Sequence, residues 1–200
     1  MCALACCFVA NALAKLVGTG ICVARASRAF GENGGDCGCC AAGIGRVVDG
    51  VDQCRHACRD ELRKGAHAIK IMAGGGVASP NDRLQDLQFS DDEIIAIVDE
   101  ARRKKKYVLA HAYTPEAIVR CVSLGVRSIE HGNLLNEAAA AAMAASDAYL
   151  SQTLITYLAL RESGIEAGMS APLVAKVGAL VEDGIASGAL ARRHNIPITL

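Results

Sequence analysis

Short apolar runs alternate with amphipathic runs along most of the chain. The apolar runs are rich in β-branched residues and bounded by glycine or polar clusters, which predicts strands: ICVAR, AHAIKIMA, YVLAHAY, VRSIEHG and AYLSQTLITY. A further strand begins at IPITL. The runs between them have helical periodicity, the last over residues 172–193. Alternation of this kind predicts parallel strands joined by right-handed crossovers.

Start and stop signals define the helices between these strands. Ser90, Thr114 and Asn136 each stand directly before a helical run and can serve as N-caps. Gly65 and Gly125 each follow a helical run and end it. The helices therefore have predicted boundaries that agree with the predicted strands on either side.

About six strands with intervening helices leave two architectures open. One is an open, doubly wound sheet, and the other is a piece of an eight-stranded α/β barrel. A complete barrel typically needs ~250 residues, so a chain of 200 residues is short for one. Both architectures place active sites at the C-terminal ends of the strands.

The composition excludes a disordered chain and predicts neither a nucleic-acid nor a membrane partner. Hydrophobic residues make up 52% of the chain, and 21 basic residues balance 21 acidic ones. The basic run at residues 102–106 follows an amphipathic helix, and we interpret it as a solvated helix end. No apolar run reaches the ~18 residues of a spanning helix. We interpret the apolar residues 1–18 as a buried or amphipathic helix rather than a signal peptide.

The 10 cysteines could indicate a metal or disulfide site. Zinc sites usually show two C-x-x-C motifs, whereas this chain has a single such spacing, within CGCC. We therefore interpret the cysteines as small core residues and loop thiols of a reducing, cytoplasmic compartment. The alternative is a metal-binding protein that uses a cluster of five thiols: Cys37, Cys39, Cys40, Cys54 and Cys58.

Three consecutive predicted strands end in a lysine or a histidine. These residues are Lys70, His111 and His131, and parallel strands bring such ends to one edge of the sheet. Neutral imidazoles are good ligands for zinc and related divalent metals. Glu130 precedes His131, so strand alternation predicts that it points to the opposite face and is not a ligand.

Lys70 lies between two isoleucines in the middle of an apolar strand. An unpaired ammonium group is costly to bury, and a lysine escapes that cost by losing its proton or by being modified. A neutral lysine amine can take up carbon dioxide and become a carbamate, an anion whose two oxygens can bridge two metals. The glycines after Lys70 would allow the loop to pass close to such a centre.

The stretches IKIMAGGGVASP, YVLAHAYTPEAI and GVRSIEHGNLL resemble motifs of the amidohydrolase superfamily, at strands 4, 5 and 6 of its barrel. The most similar branch is the imidazolonepropionase-like and Xaa-Pro-dipeptidase-like one. The resemblance covers residues 46–200 well and residues 1–45 poorly. It implies one domain over residues 1–200, built as a partial TIM-type (β/α)8 barrel of about strands 3–8.

The resemblance also implies site roles and an activity. It implies that Lys70 is carboxylated and bridges two metals, with Lys70 counted as catalytic, and that His111 and His131 bind the second metal. The cofactors would be a divalent metal, zinc by preference, and carbon dioxide as the source of the carbamate. A metal-activated hydroxide would attack the carbonyl of a small-molecule amide or dipeptide-like substrate and cleave its C–N bond.

The sequence departs from the family pattern at both ends of the barrel. No His-x-His motif is present, the loop GENGGDCGCC has no histidine, and no aspartate follows NIPITL. We therefore expect strands 3–8 of a larger enzyme, or alternatively a non-catalytic remnant of one. The open edges of such a sheet would favour association into a homo-oligomer.

Residues near the predicted strand tops are candidates for substrate contact. Tyr113 lies two positions after His111, so alternation points both side chains to one face. Its hydroxyl could donate to a substrate oxyanion or carboxylate, as a catalytic and a substrate-binding group. Asn133, Thr153 and Tyr157 are further candidate substrate-binding residues.

Overall fold

A computed structural model describes residues 20–25, 45–77 and 83–199 of the 200-residue chain, with only the backbone for residues 20–25. The predicted N-terminal helix and the thiols of Cys37, Cys39 and Cys40 lie outside the described residues. Among the helices of the described part, none is long and apolar enough to cross a membrane.

The described strands form one parallel sheet in the order β2-β1-β3-β4-β5-β6-β7. From β3 onward the spatial order equals the chain order, as in a sheet built from successive β-α units. The strands are β1 (Gly20–Arg25), β2 (Gly45–Val48), β3 (Ala68–Met72), β4 (Tyr107–Ala112), β5 (Ser128–His131), β6 (Tyr149–Ser151) and β7 (Ile198–Thr199).

Helices connect the strands from β2 onward. They are α1 (Val51–Arg63), α2 (Asp91–Arg103), α3 (Pro115–Ser123), α4 (Glu137–Ala145), α5 (Leu154–Ser163), α6 (Ala171–Gly178) and α7 (Leu180–Arg193). The predicted N-caps are confirmed, because the side chains of Ser90, Thr114 and Asn136 each accept a hydrogen bond from a backbone N–H in the first helical turn. The parallel α/β architecture predicted from alternation is likewise confirmed.

Three boundary predictions were wrong. The four-residue strand β2 is missing from the predicted strands, because it is too short to show a period. Only Tyr149–Ser151 of AYLSQTLITY is a strand, and the β-branched remainder begins α5. The region 172–193 is two helices, α6 and α7, rather than one.

Glycines in α7 allow close packing against neighbouring segments. A Cβ atom at Gly184 would lie 2.5 Å from Leu154 Cδ2 and 2.8 Å from Asn133 Nδ2. At Gly188 a Cβ atom would lie 2.5 Å from Gln152 Oε1. Helix α7 therefore packs directly against the chain that leaves β5 and β6.

The core lies between the sheet and the helices on one of its faces. Register pairs place Ile69, Ile71, Ala110, Ile129 and Leu150 on that face, and each is fully buried. The basic side chains at the end of α2 are exposed, and two of them pair with Asp99, as expected of a solvated helix end. The opposite face of the sheet carries the polar residues of the candidate site.

Candidate active site

Lys70 lies on the opposite face of β3 from its isoleucine neighbours. Its register partner is Leu109, whereas Ile69 and Ile71 pair with Val108 and Ala110 on the core side. The lysine is half-buried rather than enclosed in the apolar core. The alternation of the strand therefore explains how a lysine can lie between two buried isoleucines.

His111 lies at the end of β4 with 2% of its surface exposed. Its Nε2 atom is 3.2 Å from the carbonyl oxygen of Gly75, in the glycine run after β3. A carbonyl can only accept, so Nε2 carries the hydrogen and Nδ1 keeps its lone pair. The same run is held to β4 by the N–H groups of Ala73 and Gly74, which both donate to the His111 carbonyl.

His131 reaches the site through an unusual backbone conformation. Its register partner is Ala112 on the core side, so a regular strand would turn the imidazole toward the helices. Instead its φ is 75°, in the left-handed region, and the ring centroid lies 4.6 Å from that of His111. Gly132 follows with φ 58°, where a Cβ atom would be 2.6 Å from Leu150 Cδ1. Close packing therefore requires glycine after this histidine.

The predicted orientation of Glu130 was wrong. Glu130 is the register partner of His111 on the side of the sheet that carries the candidate site, and it is 2% exposed. Its carboxylate accepts a hydrogen bond of 2.8 Å from Ser128 Oγ, two residues earlier on the same face. The prediction failed because it assumed that His131 occupied a regular strand position.

Both imidazoles are held in the neutral form. Burial, followed by the nearby charge of Lys70, lowers the pKa of His111 to about 3. Burial also lowers the pKa of His131 well below its usual range, with smaller contributions from His111 and Lys70. The neutral ring is the form that binds divalent metals.

Two tyrosines form an aromatic wall beside the histidines. The hydroxyls of Tyr113 and Tyr157 are 2.5 Å apart, and both residues are buried. The Tyr113 ring stacks on His131, with centroids 5.2 Å apart and planes inclined by 14°. Tyr157 comes from α5 rather than from a strand, and its ring centroid is 6.0 Å from that of His131.

The other two predicted substrate contacts are engaged within the protein. The Thr153 hydroxyl is 2.6 Å from His131 Nδ1. The Asn133 side chain donates to the Leu180 carbonyl at 2.9 Å, which holds the start of α7. The buried Ser187 hydroxyl donates to the Asn133 carbonyl at 2.6 Å and accepts from the Leu135 N–H at 3.1 Å. Sequence reasoning missed Ser187, because a small polar residue in a helix carries no local signal of such a role.

The donor set fits a metal only in part. Each imidazole has one ring nitrogen engaged and the other without a hydrogen bond among the described residues. The described part of the chain contains no group of three or more histidine, cysteine, aspartate or glutamate side chains that could hold a metal ion. Two imidazoles alone are too few for a stable zinc site, so a zinc ion here would need at least one further ligand.

Two of the thiols in the alternative cysteine cluster are buried in the core. Cys54 and Cys58 lie on α1 with no exposed surface, and burial raises the pKa of Cys58 to about 12. A thiol of this kind stays protonated, whereas metals bind the thiolate. The structure therefore disfavours Cys58 as a metal ligand.

The sequence model of the amidohydrolase family matches residues 7–191. Ochratoxinase from Aspergillus niger is 40% identical over 91 residues, which are 46% of this chain and 19% of that protein. A solved prolidase in complex with N-methylphosphonate-L-proline is 45% identical, with a TM-score of 0.84 over 91% of this chain and 46% of the prolidase.

A more distant solved structure supports the fold alone. It is a Xaa-Pro dipeptidase with bound methionine, 23% identical, with a TM-score of 0.75 over 96% of this chain and 51% of the dipeptidase. The chain thus spans about half the length of the solved relatives that it matches.

Proposed function

Because the chain belongs to the amidohydrolase family, we propose that it contributes to a metal-dependent hydrolase of amide or peptide-like C–N bonds in small molecules. One observation carries the proposal. Two neutral imidazoles meet at the ends of neighbouring strands, each with one ring nitrogen that no described residue binds, and Lys70 lies close enough to act on both electrostatically.

His111 and His131 would hold the metal, and Lys70 would add the third ligand. A neutral Lys70 amine adds to carbon dioxide and releases a proton, which leaves a carbamate with two oxygens. Oxygen and imidazole donors together suit zinc. A bound zinc ion would polarise the substrate carbonyl and lower the pKa of water.

Tyr113 is the proposed catalytic hydrogen-bond donor. Its hydroxyl can donate to the oxygen on which negative charge develops, or to a substrate carboxylate. Tyr157 supports this role, because its own hydroxyl is 2.5 Å away and orients that of Tyr113. We include Tyr157, Asn133 and Thr153 as proposed substrate-binding residues, beside the contacts that they make within the protein.

Dipeptides that end in proline are the proposed substrate class. The prolidase that is 45% identical to this chain binds N-methylphosphonate-L-proline. The buried rings of Tyr113 and Tyr157, inclined by 87° to each other, offer apolar surface to a pyrrolidine ring. The test is turnover of a panel of Xaa-Pro dipeptides by the folded protein, with added zinc and bicarbonate.

Variants locate the metal. We expect Lys70→Ala/His111→Ala to lose both zinc and turnover, while replacement of Cys37, Cys39 and Cys40 leaves both unchanged. If the first variant keeps zinc and the second loses it, the cysteines bind the metal instead. A folded wild-type chain that turns over no member of the panel would support a non-catalytic remnant instead.

A further inference from the structure

We propose that Thr153 is a positioning residue for His131, whose hydroxyl selects the ring nitrogen that faces the candidate metal site. The inference rests on the proposed function, since it assigns a role within the same site. The contact joins the end of β5 to the N-cap of α5, 22 residues apart in the chain, at a distance of 2.6 Å. His131 is 7% exposed, so little water competes for this hydrogen bond.

The position of Thr153 before α5 indicates which group its hydroxyl binds. Ser90, Thr114 and Asn136 each stand at a helix N-cap and bind a backbone N–H of the first turn. Thr153 also stands at an N-cap, but its side chain makes no capping hydrogen bond. The helix therefore lacks the cap that a threonine normally supplies there, and the hydroxyl binds His131.

The backbone conformation of His131 does not fix the direction of its ring, so side-chain contacts have to do so. Since φ is 75°, the pleat of β5 does not set the direction of this side chain. Stacking on Tyr113 fixes the plane of the ring. Stacking does not distinguish the ring from one turned by half a rotation, which exchanges Nδ1 with a carbon. A hydrogen bond to Nδ1 makes that distinction, and Thr153 provides it.

The direction of the bond sets the tautomer. When Nδ1–H donates to Thr153 Oγ1, Nε2 keeps the lone pair that a metal needs. When the hydroxyl donates to Nδ1 instead, Nε2 carries the hydrogen and cannot bind a metal. The proposal is the first arrangement.

Nitrogen NMR of the imidazoles in the metal-free full chain tests this assignment. We expect His131 to carry its hydrogen on Nδ1 in the wild type, and on Nε2 or on a mixture of both in Thr153→Val. Thr153→Ser keeps the hydroxyl and should restore the wild-type signals. His111 serves as an internal reference, because its Nε2 binds the Gly75 carbonyl, which no side-chain substitution removes.

Thr156→Val is the matched control, since it makes the same change one turn later in α5 without a hydrogen bond to His131. Zinc is then titrated and followed at the His131 signals, so that binding by cysteines does not interfere. We expect Thr153→Val to weaken binding about 10–100-fold, and Thr153→Ser and Thr156→Val to leave it within about threefold of the wild type.

The outcomes test the positioning role of Thr153 separately from the proposed metal-dependent function. If His131 of the wild type carries its hydrogen on Nε2, the positioning role of Thr153 is overturned without any variant. The role is also overturned if Thr153→Val keeps the wild-type tautomer and the wild-type zinc affinity. A wild-type chain that binds no zinc at His131, yet shows the expected tautomer change in Thr153→Val, overturns the proposed function and supports the positioning role.

Discussion

The two histidines of the candidate site are presented differently at the ends of neighbouring strands. His111 is a regular residue of β4, its side chain follows the pleat, and its ring is held by a backbone carbonyl. His131 leaves the pleat with a left-handed backbone, and its ring is held by a threonine hydroxyl and a tyrosine face. The β4 end is thus fixed by main chain, and the β5 end by side chains.

This difference indicates which end of the site a substitution can disturb. A backbone carbonyl survives nearly every substitution, whereas a hydroxyl or a glycine can be replaced. Single substitutions should therefore disturb the β5 end more than the β4 end. Substitutions at and around the β5 end test this contrast.

Gly132→Ala should disturb the β5 end most. The new Cβ atom would lie 2.6 Å from Leu150 Cδ1, and alanine would have to adopt a φ of 58°. Leu150 is fully buried and has little room to move. We expect the free energy of unfolding to fall by about 2–4 kcal/mol, measured by chemical denaturation.

Gly65→Ala separates packing from backbone strain in that result. Gly65 also has a positive φ, 98°, but a Cβ atom there would meet nothing within 4 Å. Its cost should be about 1–2 kcal/mol, from the backbone conformation alone. Equal losses in the two variants would contradict the close approach of Leu150 to Gly132.

Ser187→Ala removes a support of the chain just after His131. The hydroxyl donates to the Asn133 carbonyl and accepts from the Leu135 N–H, and the residue is 1% exposed. Alanine leaves both backbone groups buried without this partner, which should cost about 2 kcal/mol of stability in denaturation experiments. Ser123→Ala is the control, because that hydroxyl is exposed and its loss should cost about 0.5 kcal/mol or less.

Local signals in the sequence were sufficient for much of the fold. The strands β3, β4 and β5 and the caps at Ser90, Thr114 and Asn136 follow from periodicity and from side chains that bind their own helix. The convergence of Lys70, His111 and His131 followed from the parallel arrangement, and the rings of the two histidines do meet. Each of these inferences needs only neighbouring residues and one rule of topology.

The remainder depends on distant contacts that the sequence does not reveal. The left-handed backbone at His131 brings its ring to the face on which Glu130 also lies, so the expected opposite orientation of Glu130 is wrong, and no residue pattern predicts this conformation. The run TLITY is rich in β-branched residues, yet it forms a helix with Tyr157 as its only buried residue. Packing of Tyr157 near Tyr113 and His131 outweighs the local strand preference.

Ser128→Ala tests the corrected orientation of Glu130. Ser128 Oγ donates to the Glu130 carboxylate at 2.8 Å, and both residues are buried on the site face of β5. Loss of this donor should lower the free energy of unfolding by about 1–2 kcal/mol. Ser146→Ala, at the C-cap of α4, should change it by no more than about 0.5 kcal/mol. Equal effects would indicate that Glu130 faces elsewhere.

Tyr157→Phe should give the smallest change, because it alters the aromatic wall without moving either histidine. The ring and its packing remain, and Tyr113 loses a hydroxyl partner at 2.5 Å. We expect a loss of about 1 kcal/mol in denaturation experiments. Tyr149→Phe, with 38% of the residue exposed, keeps its ring beside Arg127 and should change stability by about 0.5 kcal/mol or less. His131 should keep its tautomer in both variants, because Thr153 and not the phenol pair selects the ring nitrogen; a shifted tautomer in Tyr157→Phe would instead make the wall part of that selection.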